Sequence, residues 1–420
     1  MAKFIIQGGR KIKGEIFVGG AKNAALKIIP SAILSSEPLI IHNLPEIEDC
    51  KRSLELFTDL GGIVEKRDNA LILSMPKDPK QTLEASFANK LRASIMFVAP
   101  ILARTGKAIF PHPGGCVIGA GLRPIDQFIN GYIALGAEVE YKDNFYHINA
   151  KELKGCSYFF TVVTVTGTEN MIMAAVLAKG TTILNNCAME PEVEFLAENL
   201  NQRGARISGA GTPKIIIEGV TSLAGGETTI IPDRIETGTF AILAAATRSE
   251  LTIKNCRPDH VESLLAIFTK LGIEFERGAD YLKITKVPKE IPAYNLKTHE
   301  YPGFPTDLQS PFTVLMTQAN GTSLIHETIY ERRLLFTDML TQMGANITMC
   351  DPHRVVIQGP TPLRGRSLTS PDLRAGISMI IAGAIASGKT EIDNIYQIER
   401  GYEHVEERLA SIGLDIVRSE

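Results

Sequence analysis

The chain has 420 residues, 44% of them hydrophobic and 22% charged, with a formal net charge of -3. This is the composition of a globular protein with apolar surface for two or three cores, and it excludes a disordered chain or a general nucleic-acid binder. No run approaches about 18 uninterrupted apolar residues, so no membrane span is expected, and the apolar stretch in MAKFIIQGGRKIKGE is too short for a signal peptide. The cysteines are Cys50, Cys116, Cys156, Cys187, Cys256 and Cys350. None lies in a C-x-x-C pair or near clustered histidines, so no metal is expected and a cytoplasmic setting with reduced thiols is.

In chain order the first predicted element is a strand within MAKFIIQGG. GGAKNAAL follows, with Lys22 and Asn23 opening an apolar helix. SSEPLIIHNL predicts a strand, the next helix ends at Gly61 in FTDLGGIVE, and two alternating strands come after it. The same succession then returns. Further helices open in ANKLRASIMF, TVTGTENMIM, PDRIETGTF, FPTDLQSPF and SPDLRAGISM, and further strands lie in RTGKAIFPHP, AKGTTILNNC, TRSELTIKNC, ANGTSLIHET and ASGKTEIDNI. The second helices end at Gly136, Gly204, Gly272, Gly344 and Gly413, where a residue without Cβ suits a helix C-cap. Six glycines about 70 residues apart imply six copies of one α/β unit, read as loop, helix, strand, loop, helix, strand, strand.

The sixth copy is short of a strand, because only LDIVRSE follows Gly413. The N-terminal MAKFIIQGGRKIKGEI is similar to HRVVIQGPTPLRGRSL of the fifth copy, so the first strand is expected to complete the sixth. Residues 22–231 then form one three-repeat domain, and residues 1–21 with 232–420 form a second, with a ligand site expected in a cleft between them. A linear six-unit solenoid is the alternative, disfavoured because a solenoid has no need to bring its ends together.

The most unusual segment is PHPGGCVIGAGLRPID, residues 111–126. Its glycines suit a lid, and Cys116 beside Arg123 is either an exposed thiol or an acid, base or nucleophile; the glycines and Arg123 favour function. Lys22 is a solvated lysine or an anion ligand at a helix start. Neither a P-loop nor a Rossmann fingerprint is present, so no nucleotide cofactor is expected. Arg92, Arg123, Arg333, Arg374 and Arg400 recur at corners of the repeats, which points to a multiply anionic substrate. Asp307 in FPTDLQ is a first-turn or N-cap residue, or a base that takes a hydroxyl proton. Glu190 and Glu192 are first-turn acids.

Taken together, GGAKNAAL, LRAS, PGGCVIGA, RPID, PDRIETGTF, FPTDLQ, DLRAG and ERGYE resemble the UDP-N-acetylglucosamine enolpyruvyl transferase family nearly end to end. The resemblance implies an inside-out α/β barrel of two three-repeat domains. It implies transfer of the enolpyruvyl group of phosphoenolpyruvate to the 3′-hydroxyl of UDP-N-acetylglucosamine, through a tetrahedral ketal. Cys116 would be the acid, Asp307 the base, and Lys22, Arg123 and Arg400 the anion clamp, with Arg374 nearby. Asn23 would contact phosphoenolpyruvate. Arg92, Arg123, Pro124, Ile125, Asp126, Gln127, Asp307 and Ile329 would contact the nucleotide sugar, and Arg333 would belong to the same substrate-binding set. Neither cofactor nor metal is implied. Three positions depart from the family pattern: Phe128 and Gln397 replace histidine, and Arg332 replaces asparagine. The segment between Cys116 and Arg123 is also longer. The alternatives are an enolpyruvyl shikimate-phosphate synthase, disfavoured by the Gly-rich lid that bears Cys116, and a non-catalytic UDP-sugar-binding paralogue, disfavoured by the retained Cys116, Lys22, Asp307 and Arg400.

Overall fold

Each copy of the repeat builds its own small sheet. The computed structural model describes residues 2–88, 91–112 and 125–420, and its named strands form six sheets. The central strands are Leu39–His42, Lys107–Pro111, Thr181–Asn185, Leu251–Lys254, Gly321–His326 and Lys389–Asp393. Each pairs antiparallel with a strand that follows one of the six helix-ending glycines or, in the sixth copy, with Lys3–Gln7. All six glycines have positive φ, between 72° and 105°, which removes the Cβ clash that would otherwise oppose the turn from helix to strand.

The N-terminal strand Lys3–Gln7 lies between Lys389–Asp393 and Asp415–Ser419, antiparallel to both. It supplies the strand that the chain after Gly413 is too short to provide. Phe4 and Ile6 point inward and are fully buried.

One element differs from the sequence reading. A short parallel strand, not a loop, precedes most of the core helices: Glu15–Phe17, Ser157–Phe159, Gly226–Thr229, Leu296–Lys297 and Ser367–Thr369. In the second copy the same place holds a single bridge from Thr82 to Ile109. Stretches of two to four residues carry too little alternation to be read as strands. The available signal is glycine. A Cβ at Gly155 would lie 2.2 Å from the Thr181 carbonyl oxygen, and one at Gly365 would lie 2.1 Å from that of Lys389. Only a bare backbone can enter these sheets.

The parallel strands also close the repeats into rings. Gly226–Thr229, after the third copy, pairs with Leu39–His42 of the first. Glu15–Phe17 pairs with Leu251–Lys254 in the same way. Two compact units result, one drawn from residues 20–231 and the other from residues 1–19 and 232–420. Each has its own apolar core.

Within each unit the helices that follow the parallel strands are innermost. Every residue of Arg234–Ala246 is buried, as are Leu373 to Ala384 and Gly167 to Ala175. The sheets bury one face only, as in Lys107–Pro111 and Lys389–Asp393, where the inward positions are closed and the outward ones open. Helices inside and sheets outside invert the order of an ordinary α/β barrel.

The chain crossings are pinned within each unit. The Ala21 N–H donates to the Ile231 carbonyl at 2.7 Å, and the Asp233 N–H donates to that of Gly19 at 2.9 Å. Glu236 accepts the Gly19 N–H and takes a two-pronged ion pair from Arg408, with contacts of 2.9 and 2.7 Å.

Ile6→Ala is expected to cost about 2–5 kcal/mol, because it empties a fully buried site in the strand that closes the sixth sheet. A urea denaturation curve of the intact protein measures it. A loss under about 1 kcal/mol would show that this strand is dispensable.

Candidate active site

An inside-out ring sets the positions of its polar side chains. A helix buried on all sides leaves its first N–H groups without water, so they need partners from the protein or a ligand. Asp233 accepts the N–H groups of Ile235 and Glu236, Asp372 accepts those of Arg374 and Ala375, and Thr164 accepts that of Gly167. The sequence PDRIE and PDLRA place these caps, although the motifs had drawn attention to the arginines instead.

Lys22, Arg92, Arg234, Asp307 and Arg374 all fall within the first two residues of a core helix or its leading 3-10 turn. Arg333 and Arg400 lie in the other recurrent place, between a central strand and the second helix. Cys116, Arg123 and Pro124 lie outside the described residues.

In residues 20–231, Lys22 begins the helix Lys22–Ser31 and its Nζ lies 2.9 Å from Asp49 Oδ2. Asp49 is buried in the first turn of Glu48–Asp59, so one helix start neutralises another. Asn23 is half-buried beside Lys22, and Arg92 is half-buried at the head of the turn Arg92–Phe97. Ile125 is buried and Asp126 exposed at the start of Asp126–Ala134. The Gln127 amide donates to Thr161 Oγ1 at 2.7 Å and accepts the Thr161 N–H at 3.1 Å. A second ion pair lies deeper, with Lys27 Nζ 3.4 Å from Glu169 Oε2. Burial pushes the Glu169 carboxyl up to about 8; Lys27 pulls it down, and Glu192 and Glu190 add to the rise.

In residues 1–19 and 232–420 the structure brings three expected residues together. Asp307 Oδ1 accepts from Arg333 Nη2 at 2.7 Å, and Asp307 Oδ2 accepts from Arg374 Nη2 at 2.8 Å. The two guanidinium side chains are only 4% and 7% exposed, while the carboxylate is 25% exposed. Asp307 is a first-turn acid of its helix, as one of the sequence readings has it, and its two oxygens are also shared between the two arginines. Burial is the largest single influence and would lower both arginines, but the charge and hydrogen bond of Asp307, together with other neighbours such as Glu327 beside Arg333 and Asp233 beside Arg374, raise them, so both stay cationic. Arg374 also donates to Tyr402 Oη at 3.3 Å, and that hydroxyl shares a hydrogen bond with Thr239 Oγ1 at 3.0 Å.

Arg400 is 9% exposed and donates to Gln397 Oε1 at 3.2 Å. Ile329 is half-buried in the loop after Gly321–His326. Burial pushes the thiols of Cys187 and Cys256 up to about 12, far from reactive. Within neither unit by itself do three His, Cys, Asp or Glu side chains of the described residues converge as metal ligands would.

What this arrangement can do is hold anions and move a proton. One partly exposed carboxylate oriented by two buried, permanently charged forks has fixed direction, and basic side chains at helix starts add positive potential. Sequence reasoning missed Asp49 and Tyr402, whose roles depend on partners brought from other parts of the chain.

Comparison with known proteins follows the same lines. The family model described as EPSP synthase (3-phosphoshikimate 1-carboxyvinyltransferase) matches residues 6–409. The chain is 47% identical over 426 residues to a UDP-N-acetylglucosamine 1-carboxyvinyltransferase of Treponema denticola, covering 99% of both chains. It is 42% identical over 418 residues to UDP-N-acetylglucosamine 1-carboxyvinyltransferase 3 of Caldanaerobacter subterraneus subsp. tengcongensis, covering 100% of this chain and 99% of the relative. Among solved structures, the enolpyruvyl transferase NikO from Streptomyces tendae superposes with a TM-score of 0.89 at 22% identity, covering 100% of this chain and 99% of that one. An EPSP synthase from Acinetobacter baumannii superposes at 0.76 with 18% identity, each chain being covered completely. These structures share the fold.

Two outcomes are expected. Asp307→Ala leaves two buried guanidinium groups facing each other and is expected to lower stability by on the order of 3 kcal/mol in urea; an unchanged midpoint would show that the pair is not held by the carboxylate. For Glu169 the folded value lies above the ordinary 4.5, so its contribution is complete below about 4.5 and is lost as pH rises through about 8. Glu169→Gln is therefore expected to flatten the fall in stability between those limits, measured by thermal melts across pH; parallel curves for the two proteins would refute this.

Proposed function

The chain belongs to the EPSP synthase family and, within it, to the UDP-N-acetylglucosamine 1-carboxyvinyltransferases, and from that membership we propose the reaction and the roles of its residues. The chain transfers the enolpyruvyl group of phosphoenolpyruvate to the 3′-hydroxyl of UDP-N-acetylglucosamine and releases phosphate. The full-length identity of 47% to an enzyme named for this activity carries the reading. On this reading the reaction is the first committed step of peptidoglycan synthesis and takes place in the cytoplasm.

The chemistry requires two proton transfers and the control of several negative charges. When the sugar hydroxyl adds to C2 of phosphoenolpyruvate, the oxygen loses its proton and C3 gains one. Asp307 is assigned the hydroxyl proton. Its support is the partial exposure of a carboxylate whose two oxygens are oriented by Arg333 and Arg374. Cys116 is assigned the proton for C3, on the match of its Gly-rich segment to the family motif. Collapse of the tetrahedral ketal then expels phosphate and regenerates the alkene as C3 gives its proton back.

Lys22, Arg123 and Arg400 are assigned to the phosphate and carboxylate of phosphoenolpyruvate, with Arg374 nearby and Asn23 as a polar contact. Lys22 is already paired with Asp49, which holds its ammonium near the helix start. Arg92, Arg123, Pro124, Ile125, Asp126, Gln127, Asp307, Ile329 and Arg333 are assigned to the nucleotide sugar. Fixed positive groups around developing negative charge lower the barrier because they need no reorganisation during the reaction.

The test is phosphate release from phosphoenolpyruvate with each acceptor in turn. Turnover with UDP-N-acetylglucosamine and none with shikimate 3-phosphate is expected, and the reverse would sink the proposal. Cys116→Ser is expected to lower kcat by about 100-fold or more. Fosfomycin, an epoxide, is expected to alkylate Cys116, seen as an adduct in the intact mass that the serine variant lacks.

A further inference from the structure

Behind the Asp307 clamp lies a carboxylate that the reaction scheme does not use. Glu327 directly follows the central strand Gly321–His326 and is completely buried. A buried acid requires partners for both oxygens, and it has them. Oε1 accepts the backbone N–H groups of Ile329 at 2.8 Å and Tyr330 at 3.1 Å. Oε2 accepts the Thr306 hydroxyl at 2.8 Å. Its own peptide is held as well: the Glu327 N–H donates to the His353 carbonyl, and the Glu327 carbonyl meets His353 Nδ1, both at 2.8 Å.

Each partner leads to the candidate site. Thr306 is the residue before Asp307, and its Oγ1 accepts from Arg333 Nη1 at 2.8 Å. Arg333 reaches with its other amino group to Asp307 Oδ1. Arg333 therefore donates to one hydroxyl and one carboxylate, and the hydroxyl is turned toward it because its proton is committed to Glu327. The two N–H groups belong to the loop that carries Ile329 and runs on to Arg333. In charge, Glu327 and Asp307 balance Arg333 and Arg374, so the buried group is neutral as a set. The Glu327 charge also favours the cationic form of Arg333.

We propose that Glu327 is a positioning residue, which through Thr306 and the Ile329–Tyr330 peptides sets the direction of Arg333 and hence of the Asp307 carboxylate. The inference rests on the enolpyruvyl-transfer reading, in which Asp307 takes the hydroxyl proton. Glu327 touches no substrate in this scheme.

Glu327→Gln tests it with little change in shape. The amide oxygen can still accept both backbone N–H groups, but the amide nitrogen can only donate to Thr306. The Thr306 hydroxyl then faces two donors and its own proton has lost its acceptor. A misdirection of the reacting groups by a fraction of an ångström to 1 Å costs up to about 100-fold in rate. The expected result in the full-length enzyme is a kcat per folded molecule lowered by roughly 10- to 100-fold, with the KM for phosphoenolpyruvate unchanged and the protein still folded at the assay temperature. Thr306→Val should match that loss and Thr306→Ser should restore nearly full turnover. The double variant Glu327→Gln with Thr306→Val should lose no more than the valine variant alone, because both break one chain of bonds.

Losses that multiply in the double variant, a threonine requirement that serine does not meet, or full activity in Glu327→Gln would each overturn the proposal. A kcat that falls only as the folded fraction falls would do the same. The wild-type enzyme separates this failure from that of the parent reading: no turnover of UDP-N-acetylglucosamine by wild type sinks both, whereas turnover by wild type with indifferent variants sinks the positioning role alone.

Discussion

Placing helices at the centre and sheets at the surface largely shuts water out of the core helices, completely along Arg234–Ala246, and the polar architecture of this protein follows from that exclusion. The N–H groups at their starts must be met by a side chain or by a ligand. Asp233, Asp372 and Thr164 meet them in three of the repeats. In Lys22–Ser31 and in the Thr306–Leu308 turn no side chain caps the helix. The first of these begins with Lys22 and the second contains Asp307, two of the residues assigned to the chemistry. The sixth repeat combines both features, because the helix start that Asp372 caps also carries Arg374.

Charge balance explains how such groups are tolerated in a dry interior. Lys22 is set against Asp49, Lys27 against Glu169, Glu236 against Arg408, and the pair Asp307 and Glu327 against Arg333 and Arg374. A fully buried ion costs several kcal/mol to desolvate, so each of these sets is a constraint on geometry more than a source of stability. Glu169 shows what happens when the balance is poor. Lys27 is the one cation near it among the described residues, Glu190 and Glu192 lie near enough to repel, and burial with that repulsion pushes its carboxyl up to about 8. Asp307 is the opposite case, with two hydrogen-bonded cations and partial exposure. That arrangement fixes the direction of both of its oxygens.

The periodic part of this fold was legible in the chain, and the convergent part was not. Gly61, Gly136, Gly204, Gly272, Gly344 and Gly413 announce the six copies because a positive φ at a helix end selects glycine locally, without knowledge of the rest of the fold. The missing strand of the sixth copy could be assigned to the N-terminus by its likeness to the fifth, since strand count is also a local property. The short parallel strands escaped because their pairing partner, not their own pattern, defines them. The clamp on Asp307 escaped for a similar reason: Arg333 lies 26 residues away and Arg374 lies 67 away, and nothing near FPTDLQ distinguishes a capping aspartate from a shared one. The motif resemblance filled that gap by naming residues, whereas the distances came from the structure.

The three departures from the family pattern separate into physical classes. Phe128 is buried and packs against Tyr132 with ring centroids 5.9 Å apart, so an apolar ring suits that pocket. Gln397 accepts a hydrogen bond from Arg400, a task that the unprotonated nitrogen of a histidine can also perform, so the arginine keeps a partner after the exchange. Arg332 has φ of 59°, in the left-handed region where asparagine is favoured over most L-residues, so the asparagine that the motif pattern leads one to expect would suit this backbone. An arginine there carries a backbone cost of about 1 kcal/mol. That cost falls on an exposed turn whose N–H is held by the Pro352 carbonyl. It does not reach Arg333, whose guanidinium is fixed by Thr306 and Asp307 from the far side of the turn. The network that orients the carboxylate therefore tolerates a strained neighbour, because its own bonds run across the repeat and not along the chain.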